Sequence, residues 1–310
     1  MIEVVFLGTS ASAPSIHRGL SAQVVLYKSH RFLVDCGEGT QRQILRSGLG
    51  FKRLNRILLT HGHLDHILGL GGLISTFARW EAMEHIEIYG GGWALERVYD
   101  LIYGVVLRGA EPPIKIDLIE VRPGVVLEDD TFEVVAFPVV HRGPCLGYLF
   151  REKPRRPFLD EQAEALGVPR GPERRRLVAG ESVQLPDGRV IQPDDVLGPP
   201  RQGACLAHVG DAGRTENLKT AVHGADMLVI EATYLRQEAD MARRFAHLTA
   251  ARAARLARDA EVHRLVLTHV SRRYREADIV EEARSIFPET VVARDFDHYR
   301  VIRRDEQPEA

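Results

Sequence analysis

"LLTHGHLDHILGL", residues 58–70, carries three histidines and an aspartate in the six positions from His61 to His66, directly after an apolar run. The run predicts a strand at 56–60, the glycine a tight turn, and the spacing from residue 67 onward a helix reaching residue 80. His61, His63, Asp65 and His66 then project from a strand–helix junction, with alternate residues on one side. Imidazole and carboxylate are the ligand types of catalytic zinc and its neighbours. Four such groups exceed what one catalytic ion with an open position takes, so two ions sharing the cluster is the more natural reading. A lone histidine here would read as incidental; His-x-His-x-Asp-His behind an apolar strand does not.

Two ions need further ligands, and they appear at other strand ends. His141 follows "FEVVAFPVV", Asp211 follows "CLAHVG", and His269 follows "RLVLT". One polar residue at a strand end is often only a turn residue. Three of them, added to the first cluster, point to a binuclear site.

Around this cluster, short apolar strands bounded by Gly, Asp or Pro are predicted at 3–7, 23–27, 31–35, 86–89, 131–138, 147–151, 204–209, 227–231, 264–268, 291–293 and 299–303. Helical spacing predicts helices at 40–47, 94–103, 215–222, 249–259 and 276–287. The economical arrangement is an α/β (α+β) fold, two mixed sheets packed face to face with helices outside. A chain of 310 residues can bury a sizeable core as one large domain. With 45% apolar and 27% charged residues it has an ordinary soluble composition. No apolar run approaches the length of a membrane span, and the N-terminus reads as a first strand, not as a secretory signal. Cys36, Cys145 and Cys205 form no paired motif, which fits a reducing cytoplasm and small buried side chains. The net charge of −2 excludes inferring a nucleic-acid partner from bulk electrostatics; such a partner would need a local basic patch.

Residues 152–203 differ in character. They are dense in Pro, Gly and charge, with arginines recurring from Arg155 to Arg189, a short helical piece at 159–166 and a turn at "PDGR". A 50-residue excursion with little core of its own is usually functional or a linker; a solvated surface insertion is the plainer alternative.

His61, His63, Asp65, His66, His141, Asp211 and His269, in that order, resemble the ligand set of the metallo-β-lactamase superfamily, whose fold is an αββα sandwich. More narrowly, the chain resembles the short form of the ribonuclease Z family of tRNA 3′-processing endonucleases. That likeness is carried by "FLGTSASAP" (6–14), "DCGEGTQRQ" (35–43), "GLGGLISTF" (69–77), "GYLF" (147–150), "GDAGRTENL" (210–218), "IEATYL" (230–235), "HLTAARAA" (247–254) and "LTHVSRRY" (267–274). Within 152–203, "GVPRGP" and "LPDGRVIQPDDVLGPPR" resemble the family's protruding tRNA-binding arm. The chain departs from the family pattern at "PSIHRGLSA", which keeps Pro14 and Arg18, at "GPERRRL", and at His247-Leu248-Thr249.

The resemblance implies two zinc ions per subunit, with manganese also compatible with these ligands. His61, His63 and His141 would hold one ion and Asp65, His66 and His269 the other, with Asp211 bridging and Asp65 also orienting the attacking water. It implies precursor tRNA as substrate, a homodimer and a cytoplasmic location. His247 becomes the candidate general acid with Glu231 orienting it; read without the family, they are a residue at a helix start and a strand-end carboxylate. Ser271 and Arg273 are candidates for a substrate phosphate, or else part of an exposed basic helix start. Arg170, Arg174, Arg175 and Arg176 of the arm are candidates for tRNA contact. The "GLGGLISTFARW" helix could supply an apolar interface through Phe77 and Trp80, which read equally well as core. Two other functions share these features: a hydrolase of small phosphodiesters or other esters, and a non-catalytic RNA-binding module that keeps its metals.

Overall fold

The computed structural model describes residues 1–80, 83–112 and 114–304, without the side chains of 78–80. It divides into two compact units: Met1–Arg151 together with the described residues from Ala204 onward, and Glu152–Gly203.

In the larger unit, β1 (Ile2–Gly8), β2 (Ala22–Tyr27), β3 (His30–Val34), β4 (Arg56–Leu58), β5 (His85–Gly90) and β6 (Lys115–Glu120) come first. They are followed by β7 (Gly124–Glu128), β8 (Phe132–His141) and β9 (Gly143–Glu152). A hairpin of β10 (Val183–Gln184) and β11 (Val190–Ile191) belongs to the smaller unit. The chain then returns with β12 (Cys205–His208), β13 (Met227–Glu231), β14 (Arg264–Thr268), β15 (Thr290–Val292) and β16 (His298–Arg300). Among the described residues two mixed sheets of seven strands result, ordered β16-β1-β2-β3-β4-β5-β6 and β15-β14-β13-β12-β9-β8-β7.

Strand alternation explains why the sheets pack in layers. Ile2, Val4 and Phe6 of β1 join Met227, Val229, Val266, Tyr148 and Phe150 in one core shared by the two sheets. Val5 and Leu7, pointing the other way, pack with helices α1 (Thr40–Arg46), α3 (Gly69–Trp80) and α4 (Gly92–Tyr99). The opposite faces of β13 and β14, through Leu228, Ile230, Leu265 and Leu267, pack on α8 (Ala250–Asp259) and α9 (Glu276–Arg284). Strands apolar on both faces are what a sheet covered on both sides requires. In α8 the Thr249 hydroxyl accepts from the Arg252 amide at the N-terminus, and its alanines and Leu256 are buried. Its arginines are left to the outer face.

Several expectations need correction. The helix expected at 215–222 is a run of turns: Asn217 is drawn to the Pro138 carbonyl and Gly224 takes a positive φ, so only Leu218 and Val222 are buried. The helix expected at 94–103 starts earlier and continues as a π-helix over Asp100–Leu107. Strands β6 and β7 and helix α7 (Ala239–Phe245) were not expected. Phe77 is fully buried and packs edge-on to Phe51, so it is core; the side chain of Trp80 lies outside the described residues.

The segment expected to hold little core has one. In the smaller unit, Ala163, Val168, Leu177, Val183, Leu185, Ile191, Val196 and Leu197 cluster between α5 (Asp160–Ala165), α6 (Pro172–Val178) and the β10–β11 hairpin.

Candidate metal centre

The seven candidate ligands converge because of where their strands end. In each sheet a run of parallel strands, β3–β4–β5–β6 and β12–β13–β14–β15, points its carboxyl ends the same way. His61 follows β4, Asp211 follows β12 and His269 follows β14, while His141 ends β8. His63 sits at the N-cap of the short α2 (Leu64–Ile67), which carries Asp65 and His66. Two groups of donors form, His61, His63, His141 and Asp211, and Asp65, His66 and His269, and a third, Asp211, His247 and His269, overlaps both. Within each group the ligand atoms lie within 4.8 Å of one another.

Asp211 faces both groups, one oxygen to each. Its Oδ2 is 3.8 Å from Nε2 of both His61 and His141. Its Oδ1 is 3.5 Å from His66 Nε2 and 3.4 Å from His269 Nδ1. Asp65 Oδ2 lies 3.3 Å from His269 Nε2 and 3.8 Å from His66 Nε2, and accepts the Ser12 amide at 3.0 Å.

The surroundings fix which nitrogen of each ring points inward. His66 Nδ1 donates to Asp35 at 2.7 Å. The Thr60 hydroxyl donates to Asp35 at 2.8 Å, so the His61 Nδ1 that lies 3.0 Å from it must donate in turn. His141 Nδ1 donates to the Ala246 carbonyl at 2.6 Å. All three rings therefore turn an Nε2 lone pair toward the centre. His61 Nε2 and His141 Nε2 stand 2.9 and 3.3 Å from His63 Nδ1, with at most one proton among three such atoms. His66 Nε2 and Asp211 Oδ1 are buried and make no hydrogen bond. Converging lone pairs and a starved carboxylate oxygen are what a bound cation satisfies, and the residues fit it.

The electrostatics agree. Burial, reinforced by neighbouring imidazoles, pushes His61 well below the usual range, and burial pushes His63 down to about 4 and lowers His141. These rings stay neutral, as ligands must. Burial opposes charge on His66 too, yet Asp211 and Asp35 hold it well above its ordinary value. Those carboxylates call for positive charge at that nitrogen, and a metal ion supplies it without protonating the ligand.

His247 sits beside this centre. Its ring lies 4.9 Å from that of His141 and 5.5 Å from that of His269, and its Nδ1 is 2.9 and 3.1 Å from the two oxygens of buried Glu231. Burial alone would lower its pKa; Glu231 outweighs that and raises it to about 9.

The remaining candidates are placed less centrally. Ser271 lines a cleft of about 610 Å³ with Ser10 and Arg18. Arg273 is exposed, with a long 3.4 Å contact to Glu238. In the smaller unit Arg170 and Arg176 are exposed and paired with Glu164 and Glu181. Arg175 is exposed. Arg174 differs: its side chain is 13% exposed, bonded to Asp160 and the Val168 carbonyl and packed over Phe158. These contacts tie it into the core of its own unit.

Residues 19–153 match the model of the metallo-beta-lactamase superfamily, and 196–270 that of a beta-lactamase superfamily domain. Ribonuclease Z of Bradyrhizobium sp. (strain ORS 278) is 47% identical over 302 residues, covering 97% of this chain and 100% of that protein. Ribonuclease Z of Haloferax volcanii is 41% identical over 94% of this chain and 92% of its own length. The chain belongs to the ribonuclease Z family. The crystal structure of human tRNase Z, short form, superposes with a TM-score of 0.67 at 26% identity, over 97% of this chain and 99% of that one. The fold is thus the metallo-β-lactamase sandwich, and the chain covers 92–100% of the length of these ribonuclease Z relatives.

Sequence reasoning missed the residues that orient the ligands. Asp35 and Thr60 serve His66 and His61, and the Thr233 hydroxyl lies 3.0 Å from His269 Nδ1 while donating to Glu231. Asp35 lies within the stretch "DCGEGTQRQ", and a carboxylate closing an apolar strand is the same signal that found Asp211.

Proposed function

We propose that this protein is a metal-dependent endoribonuclease that hydrolyses a phosphodiester bond in precursor tRNA, removing the 3′ trailer and leaving a tRNA 3′-hydroxyl. The observation that carries this reading is Asp211, whose two oxygens face two separate sets of imidazoles in a chain nearly half identical to a ribonuclease Z. His61, His63 and His141 would hold one ion, and Asp65, His66 and His269 the other, with Asp211 shared. Two zinc ions per subunit suit this donor set, and manganese is compatible. Such ions supply Lewis acidity toward the phosphodiester and lower the pKa of a shared water.

The chain's own residues supply the rest. Glu231 takes up His247 Nδ1, so the ring presents its Nε2 proton to the departing 3′ oxygen and is charged at neutral pH. Asp65, steadied by the Ser12 amide, orients the attacking water. Ser271 and Arg273 are assigned to a substrate phosphate. The smaller unit is read as the tRNA-binding arm, through Arg170, Arg174, Arg175 and Arg176. Homodimerisation is proposed from the family likeness alone and is tested by light scattering. No helix among the described residues is long and apolar enough to cross a membrane. Burial raises the Cys36 and Cys145 thiols to about 12 and Cys205 to about 11, and unpaired, unreactive cysteines support a cytoplasmic location.

A 5′-labelled precursor tRNA with a 3′ trailer tests this, incubated with the protein with and without chelator, and with Asp211→Ala. Chelator-sensitive release of the tRNA, lost in the variant, is the expected result. Intact RNA alongside rapid hydrolysis of a small chromogenic phosphodiester would move the protein to the small-ester reading.

A further inference from the structure

The larger unit carries two adjoining clefts that the ligands and His247 leave unexplained. One, of about 710 Å³, opens beside His141 and Ala246 and is lined by Arg214, Arg243 and Arg252. The second, of about 420 Å³, shares Glu216 and Arg252 with the first and continues to Lys219 and Arg255. They form one path leading away from the metal centre.

Its charge is lopsided. Five cationic side chains line it against the carboxylates Glu216 and Asp259. Arg243 pairs with Asp240, and Arg252 is 3.4 Å from Glu216. Arg214, Lys219 and Arg255 are exposed and form no salt bridge among the described residues, although Glu216 lies in the field of Arg214 as well as of Arg252. At the mouth by His141, the guanidiniums of Arg142 and Arg244 lie 5.3 and 5.6 Å from the half-buried Phe245 ring, and neither pairs with an acid among the described residues. By contrast, the segment 152–203 has nine Lys and Arg against nine Asp and Glu, so it carries no excess charge. The periodicity of α8 explains the track: its buried face is alanine and leucine, which leaves Arg252 and Arg255 one turn apart on the outside.

We propose that this path is a phosphate track that binds consecutive phosphodiester groups of the substrate RNA on the His141 side of the centre, and that it supplies much of the salt-dependent part of binding. The inference rests on the RNA-cleaving reading. The bound phosphates belong either to the tRNA itself or to its trailer, which share this chemistry.

The test uses full-length protein and a variant carrying Arg214→Gln, Lys219→Gln and Arg255→Gln. Anisotropy of labelled mature tRNA and kcat/KM on precursor are followed from low to high salt. Each lost phosphate contact lowers the slope of log affinity against log salt by about 0.7–0.9, so the variant's slope falls by about two and its affinity near physiological salt drops about tenfold or more. A change on both RNAs assigns the track to the tRNA; a change on precursor alone assigns it to the trailer. Unchanged slopes on both, with an unchanged melting temperature, overturn the proposal. Should the triple variant melt early, Arg255→Glu alone decides by the same readout. A wild-type protein that binds tRNA with this salt dependence but cleaves no precursor would sink the proposed activity and leave the track standing.

Discussion

Asp35 offers the sharpest test of how the centre is held. Its carboxylate is almost wholly buried and does three things at once: it accepts His66 Nδ1 at 2.7 Å, the Thr60 amide at 2.8 Å and the Thr60 hydroxyl at 2.8 Å. Through that hydroxyl it also fixes His61. One carboxylate thus orients a candidate ligand in each of the two donor groups. In Asp35→Asn the amide oxygen still accepts from His66 Nδ1 and the Thr60 hydroxyl, but the charge-assisted bond to imidazole becomes a neutral one, and the amide nitrogen faces the Thr60 N–H that Oδ1 accepted. The difference between such bonds is about 1–1.5 kcal/mol, or roughly tenfold in metal affinity. Asp35→Ala loses both orienting contacts and falls toward the upper end of the effect of such residues, about 100-fold. Zinc affinity is measured by competition with a chromogenic chelator, with bound metal counted by mass spectrometry and folding checked by circular dichroism. The Asn variant regains activity when zinc is raised, because the ligands themselves are intact. Asp35 also sits at φ 58°, a conformation aspartate tolerates better than most residues. If both variants fold and bind zinc as tightly as the wild type, Asp35 is merely a turn residue and the orienting argument is wrong.

Three further outcomes are expected. Glu231→Gln removes the charge that keeps His247 protonated, so the alkaline limb of the kcat profile moves from about pH 9 toward the ordinary imidazole value, while His247→Ala costs about 10²–10⁴-fold in kcat; an unchanged limb would refute the acid assignment. Replacing 152–203 by a short linker weakens precursor cleavage sharply and leaves hydrolysis of bis-p-nitrophenyl phosphate nearly intact; equal loss on both substrates would make the segment structural. His208 is buried against Gln23, and burial lowers its pKa to about 4. The unfolded chain therefore takes up a proton near pH 6.5 that the folded one refuses, and stability falls as pH drops from 6.5 toward 4. The full effect is about 3 kcal/mol and about 2 kcal/mol is reached by pH 5, so His208→Asn should show a shallower acid loss in urea titrations.

The sequence was most legible where burial is most complete. β1, β13 and β14 are apolar on both faces and were located to within a residue or so. β6 and β7, "KIDLIE" and "GVVLE", sit at one edge of each sheet and are only partly buried; Asp117 interrupts β6, and β7 offers a run of only three apolar residues between Gly124 and Glu128. Helix α7 runs "ADMARRF" with one fully buried residue, Ala242, too little apolar spacing to announce it. In 152–203 the core is drawn from eight residues scattered between prolines and charges, which no periodic template detects. Arg174 shows the limit for single residues: in sequence it is one of three consecutive arginines, and only its contacts with Asp160 and Phe158 separate it from Arg175.

The convergence of the candidate ligands, by contrast, has a topological reason. Parallel strands in one sheet end on the same side, so residues just past their carboxyl ends become neighbours however distant they are along the chain. Asp35, His61, Asp211 and His269 each follow such a strand, and Glu231 closes another. The two sheets meet at these ends closely enough that a Cβ on Gly210 would stand 2.8 Å from the Thr60 side chain. A residue larger than glycine there would press directly on the hydroxyl that links Asp35 to His61. Glycine before Asp211 is therefore a spatial requirement of the centre: it lets the strand end that brings the shared carboxylate lie against the strand end that brings the first imidazoles. The spacing of apolar runs along the chain announces the strands. The polar residue that closes each one announces the site.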